Sequence, residues 1–225
     1  AGDLGCTPGK ALARAGGLRG WPGLTHMRSE ATTQVMLDAR SQRCLHQGGT
    51  TESMGEGESM GPVNDRVRAS MLRQQKDIKY DITWKTLAGY LSFLEKRGVS
   101  CNVASFLGAT TVREYVIGFE DKAPTPAQLD EMRALVRQEM EAGALGIGTS
   151  LIYPPAFYAH TEELIDLCKV AAKYRGKYIS HMRSEGNNLM EGVEELIRIS
   201  REAGWPAEIN HVTRAGQNNW DKAGN

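Results

Sequence analysis

Three runs decide the fold: Ala144-Leu145-Gly146-Ile147-Gly148-Thr149-Ser150-Leu151, Lys177-Tyr178-Ile179-Ser180-His181-Met182 and Ala207-Glu208-Ile209-Asn210-His211-Val212. Each is too short for a helix and is bounded by turn-forming residues, so each reads as a buried strand. Helical stripes lie between them. The segment from Thr161 to Tyr174 opens with Glu162 and Glu163, which favour a helix N-terminus, and stops near Gly176. The segment from Asn188 to Ala203 carries Leu189, Val193, Leu196, Ile197 and Ser200 on one face and ends at Gly204-Trp205-Pro206. Strand and helix alternate with a period of about thirty residues, the signature of parallel βα units.

The pattern continues upstream. Thr125-Pro126-Ala127-Gln128 is a capping box with proline at the first helical position, and Leu129, Met132, Leu135, Val136 and Met140 continue its stripe as far as Gly143. Before it, Asn102 to Leu107 is extended, and the residues joining it to Thr125 read as a polar, exposed connection. Thr83 is the expected cap of a helix that buries Trp84, Leu87, Leu91 and Leu94 and ends at Gly98. Gly49 to Met54 reads as a strand, Leu24 to Met27 as a weaker one, and Ala31 to Leu45 as the helical part of an otherwise poorly patterned start. Up to six strands in this alternation imply an α/β fold. The count fits about six of the eight units of a TIM barrel better than a complete doubly wound sheet. Residues 1–46 are then an N-terminal segment holding the first barrel strand, and residues 47–225 an incomplete barrel domain.

Composition narrows the function. The 225 residues carry 27 Lys plus Arg and 27 Asp plus Glu, a net charge of zero, so no basic field favours nucleic acid or an anionic membrane. No run approaches the roughly 18 apolar residues of a membrane span, and no basic-then-apolar leader precedes the pattern, which reads as a cytoplasmic protein. Cys6, Cys44, Cys101 and Cys168 are irregularly spaced without a CxxC, so they are expected to be reduced and mostly buried.

His181 and His211 carry the sharpest chemical signal. They sit 30 residues apart, one strand-helix unit, near the C-terminal ends of consecutive strands. Adjacent parallel strands lie about 4.8 Å apart, so the two imidazoles are expected to converge at the end of the sheet that carries barrel active sites. Two such imidazoles suit zinc with an open position for water; the alternative is a pair of hydrogen-bonded strand-end residues with no metal. Gly55-Glu56-Gly57-Glu58-Ser59-Met60-Gly61 places two carboxylates after a strand, to bridge metals or to solvate a turn. Tyr153, in a Tyr-Pro-Pro loop, either reaches a substrate or packs rigidly. Arg183 and Glu185 either hold a substrate carboxylate or pair with each other. His-Met-Arg-Ser-Glu occurs at both 26–30 and 181–185 without flanking similarity, so it is not a structural repeat.

The segments 143–155 and 178–186, together with Ile209-Asn210-His211, resemble the N-acyl-D-amino-acid deacylases (D-aminoacylases) of the amidohydrolase superfamily, over roughly residues 47–217. The resemblance implies a metal-dependent TIM barrel and hydrolysis of N-acyl-D-amino acids to a D-amino acid and a carboxylate. Dihydroorotase-like, hydantoinase-like or dipeptidase chemistry, or a non-catalytic barrel remnant, are the alternatives. It implies one or two zinc ions, with His181 and His211 on the tighter one. Where the family often has a cysteine in Asn-Cys-Gly, this chain has Gly57 between Glu56 and Glu58, so either glutamate is a candidate to replace the thiolate. The superfamily's His-x-His reads here as His26-Met27-Arg28, leaving His26 as a further candidate ligand. Tyr153 and Arg183 are candidate substrate contacts, and the partner is a small N-acyl amino acid. The family's general acid/base aspartate is expected beyond Asn225. On this reading the chain is a fragment, weakly folded and inactive by itself.

Overall fold

The computed structural model describes residues 22–27, 29 and 31–224. Arg28, Cys6 and the rest of residues 1–21 lie outside the described residues, and with them the arginine of His26-Met27-Arg28 and much of the N-terminal segment. The described chain is an α/β fold whose strand pairings are all parallel. The strands are β1 (Leu24–His26), β2 (Gly49–Met54), β3 (Asn102–Ser105), β4 (Leu107–Gly108), β5 (Gly146–Ser150), β6 (Lys177–His181) and β7 (Ala207–Ile209). The helices are α1 (Gln34–Leu37), α2 (Gln42–Leu45), α3 (Asp65–Gln74), α4 (Leu87–Arg97), α5 (Ala109–Val116), α6 (Pro126–Glu141), α7 (Thr161–Ala171) and α8 (Leu189–Ala203).

Two sheets form, in the orders β1-β2-β3 and β4-β5-β6-β7. They are joined through one extended run. Only Phe106 separates β3 from β4, and its N–H donates to the Met54 carbonyl at 2.8 Å, while Leu145 N–H reaches the Ser105 carbonyl at 2.9 Å. The run exchanges β2 for β5 as its partner, so the six strands read from sequence appear as a bent succession. Register between β5 and β6 sets Ser150 opposite His181, and that between β6 and β7 sets Ser180 opposite Ile209.

The helices follow local chemistry. Thr125 caps α6 in the expected capping box, its hydroxyl accepting from Gln128 N–H while the Gln128 side chain accepts from Thr125 N–H. The cap of α4 is Thr86 and not Thr83: the Thr86 hydroxyl accepts from Gly89 N–H, and Trp84 stays outside the helix because its indole N–H is tied to the Met60 carbonyl. The connection after β4 is not exposed. It forms α5, which buries Thr110, Thr111, Arg113 and Glu114, because Arg113 finds Glu163 on α7 at 2.6 Å and Thr111 bonds Ser59. The expected helix over 31–45 is split into α1 and α2 by Asp38 and Ser41, the latter left-handed at φ 46°. β7 ends at Ile209, short of the expected Val212.

One core lies between strands and helices, with Leu107, Val112, Met132, Ile147, Tyr178 and Ile199 buried in it. Cys101 and Cys168 are buried free thiols and Cys44 is half-buried, in line with their irregular spacing. No described helix is long and apolar enough to cross a membrane.

Candidate metal centre

The C-terminal ends of β2, β6 and β7 meet at one place because the loop after β2 crosses the ends of β4 and β5. Glycine makes this crossing possible. A Cβ on Gly148 would lie 2.0 Å from the Gly55 carbonyl oxygen and 2.6 Å from that of Glu56, and one on Gly108 would lie 2.6 Å from the Glu58 backbone. The loop is then fastened by Gly108 N–H donating to Ser59 Oγ at 2.9 Å, and by Thr110 N–H donating to the Gly57 carbonyl at 3.2 Å. Glu56 is carried across to β6 and β7.

His181 is the last residue of β6, and its carbonyl accepts from Leu151 N–H at 2.9 Å. His211 lies two residues beyond β7, in the left-handed region at φ 31°, a conformation that costs a non-glycine residue about 1–3 kcal/mol. Asn210 holds this turn. It is buried, its N–H donates to the Ser180 carbonyl at 2.8 Å, and its side-chain amide donates to Glu56 Oε1 at 3.0 Å. The imidazoles converge as the 30-residue spacing predicts, with ring centroids 4.4 Å apart and planes at 79°.

Glu56, His181 and His211 each offer a ligand atom within 4.8 Å of the others. Glu56 Oε1 lies 3.3 Å from His211 Nε2 and 4.0 Å from His181 Nδ1. Ligands about 2.1 Å from a tetrahedral zinc are separated by about 3.4 Å, so the spacing suits one ion, and two imidazoles with one carboxylate form a donor set that leaves a fourth position open. The residues fit a divalent metal. Glu185 closes the far side, with Oε1 2.9 Å from His211 Nδ1 and 3.6 Å from His181 Nε2.

The remaining candidates are placed elsewhere. Glu58 is exposed and lines a separate cleft of about 330 Å³ with Met60, Met71 and Tyr80. His26 is half-exposed and faces its register partner Glu52 on β2, Nδ1 to Oε2 3.1 Å, outside the trio. Tyr153 is 60% exposed with its ring 5.5 Å from that of His181, at the mouth of the site. Arg183 does not pair with Glu185. Its guanidinium bonds Glu195 of α8 at 2.8 and 2.9 Å and donates to the carbonyls of Phe157 and Ala159 at 2.6 and 2.8 Å, which fastens the loop carrying Tyr153. Asn210 was not singled out from sequence; its position beside His211 was the available signal.

No protein-family model matches the chain. A D-aminoacylase from Alcaligenes xylosoxydans xylosoxydans is 33% identical over 183 residues, 80% of this chain and 37% of that enzyme. A solved D-aminoacylase with a binuclear metal centre superposes at TM-score 0.78 and 25% identity, over 90% of this chain and 43% of that one. An N-acyl-D-glutamate deacylase from Bordetella bronchiseptica, complexed with zinc and a phosphonate mimic of the tetrahedral intermediate, superposes at TM-score 0.76 and 26% identity, over 90% and 42%. The chain spans about two fifths of the length of these relatives.

Proposed function

The chain is related in sequence and in fold to the N-acyl-D-amino-acid deacylases of the amidohydrolase superfamily, and on that footing we propose that it forms the metal-binding part of a zinc-dependent amidohydrolase that releases D-amino acids from N-acyl-D-amino acids. The strands β1 to β7 are then six of the eight staves of a TIM barrel, β3 and β4 making one, and residues 47–225 belong to the barrel domain. One observation carries the reading: Glu56, His181 and His211, from three separate strand ends, converge with their ligand atoms within 4.8 Å.

Zinc held there supplies Lewis acidity towards a carbonyl and lowers the pKa of water to about 7. The chain's own groups prepare the place. Glu56 brings the negative charge that partly offsets the cation. Asn210, donating to Glu56, fixes which way that carboxylate points. Tyr153 stands at the exposed mouth, where its ring and hydroxyl can contact an acyl group or amide. Four of the five Arg183 N–H groups are engaged by Glu195 and two carbonyls, so Arg183 acts chiefly by fastening the loop that carries Tyr153.

Elemental analysis of the purified chain is the first test. About one zinc per chain is expected, and none in the His181→Ala/His211→Ala double variant; a folded wild-type chain without zinc overturns the reading. In a full-length protein containing this chain, zinc-dependent hydrolysis of N-acetyl-D-amino acids with the L-isomers left intact is the expected activity.

A further inference from the structure

Each imidazole of the centre lies between two carboxylates, and the two carboxylates address opposite nitrogens. Glu56 Oε1 faces Nδ1 of His181 and Nε2 of His211, at 4.0 and 3.3 Å. Glu185 Oε1 faces the other pair, Nε2 of His181 at 3.6 Å and Nδ1 of His211 at 2.9 Å. A neutral imidazole has one nitrogen with a lone pair and one with a proton, and a metal takes the former. If the nitrogens on the Glu56 side bind the ion, both ring protons are on the Glu185 side. A carboxylate there fixes the tautomer and orientation of a metal-bound histidine and raises its basicity.

We infer that Glu185 is the positioning residue of the centre, a single carboxylate that both metal-binding histidines face: its Oε1 is buried and within ion-pair distance of both rings without a hydrogen bond to either, placed to take their ring protons once the ion fixes the tautomers. The inference rests on the metal reading above and adds to it a residue outside the ligand trio. Glu185 is held for this task. Its side chain is 16% exposed, its backbone carbonyl accepts from Ala215 N–H at 2.7 Å, and its nearest cation in sequence, Arg183, is engaged by Glu195. The carbonyl bond ties the segment after β6 to the segment after β7, so the residue that addresses both histidines also links the segments that follow them.

The test is zinc binding by the full chain, measured by competition with a chromogenic chelator. Glu185→Gln keeps the shape and removes the charge. Its stoichiometry is expected to stay at about one zinc while affinity falls about 10- to 100-fold. Glu185→Asp, still anionic, is expected to recover part of the loss, and it decides the matter if Glu185→Gln does not fold. In the zinc-loaded wild type, long-range proton–nitrogen NMR spectra are expected to show His211 protonated at Nδ1 and His181 at Nε2. The opposite tautomers overturn the inference, as does unchanged affinity in a folded Glu185→Gln chain. A change in cobalt(II) visible absorption that signals a lost ligand in Glu185→Gln also overturns it, because Glu185 is then a ligand itself. A wild-type chain that binds no zinc instead fails the metal reading, a different and separately visible outcome.

Discussion

At the scale of single residues, the candidate centre depends as much on missing side chains as on Glu56, His181 and His211. Gly148 sits under the crossing loop, and the atoms a Cβ would meet, the carbonyl oxygens of Gly55 and Glu56, are backbone that cannot rotate aside. Gly148→Ala must therefore lift the loop. The expected loss is about 1–3 kcal/mol of stability, as for other overpacked interiors, together with weakened zinc binding because Glu56 moves with the loop. Urea denaturation and zinc titration of the same variant check both halves; a variant that binds zinc as the wild type does refutes the coupling. The glycines of this strand stand in the sequence as positions open to close backbone approach. What approaches was not legible, since the choice between Glu56 and Glu58 is made by the path of the loop across two strands about fifty and about ninety residues further along the chain. Glu185 was likewise visible beside Arg183, yet the natural pairing of the two is overruled by Glu195, brought in from α8.

At the scale of elements, capping and burial explain both what the sequence disclosed and what it hid. The α6 capping box and the strand β2 are set by residues next to one another, so both were readable to within a residue or so. Helix α5 was hidden because its polar residues are satisfied by partners far along the chain, Ser59 for Thr111 and Glu163 for Arg113. Glu163 shows the tension: burial pushes its carboxyl above the usual range while Arg113 pulls it back. Glu139 of α6 is a simpler case. It is fully buried, its Oε2 accepts from Leu87 N–H at 3.1 Å at the start of α4, and burial pushes its carboxyl up against the effect of that bond. Below its ordinary value of 4.5 the group is protonated in folded and unfolded chains alike, and no penalty arises. As pH rises past that value the unfolded chain ionises freely and the folded chain does not, so the stability contribution is lost upward in pH. Glu139→Gln keeps an acceptor for Leu87 without the charge. It is expected to match the wild type near pH 4 and to exceed it in denaturant midpoint near pH 7; an equal gap at both pH values refutes the assignment.

At the scale of the molecule, the alternation of strand and helix conveyed the parallel architecture, and the exchange at Phe106 did not show because a single residue carries no periodicity. That exchange leaves β2 and the β6–β7 pair in different sheets, joined through β3 and β4. The candidate metal centre spans this division. Glu56 follows β2 in the first sheet, whereas His181 and His211 belong to the second, so an ion bound by all three ties the sheets together at their C-terminal ends. An ion that binds only the folded chain stabilises it by mass action, by about 2.7 kcal/mol at one hundred times the dissociation constant. Zinc should therefore raise the thermal midpoint of the chelator-stripped chain in a concentration-dependent way. Glu56→Ala should lose most of that rise, although Glu56 lies in a loop at the end of its strand, and the His181→Ala/His211→Ala variant should lose all of it. Calorimetry with and without zinc on the three proteins decides the matter. If Glu56→Ala keeps the full rise, the ion is held by the second sheet alone and does not tie the two sheets together.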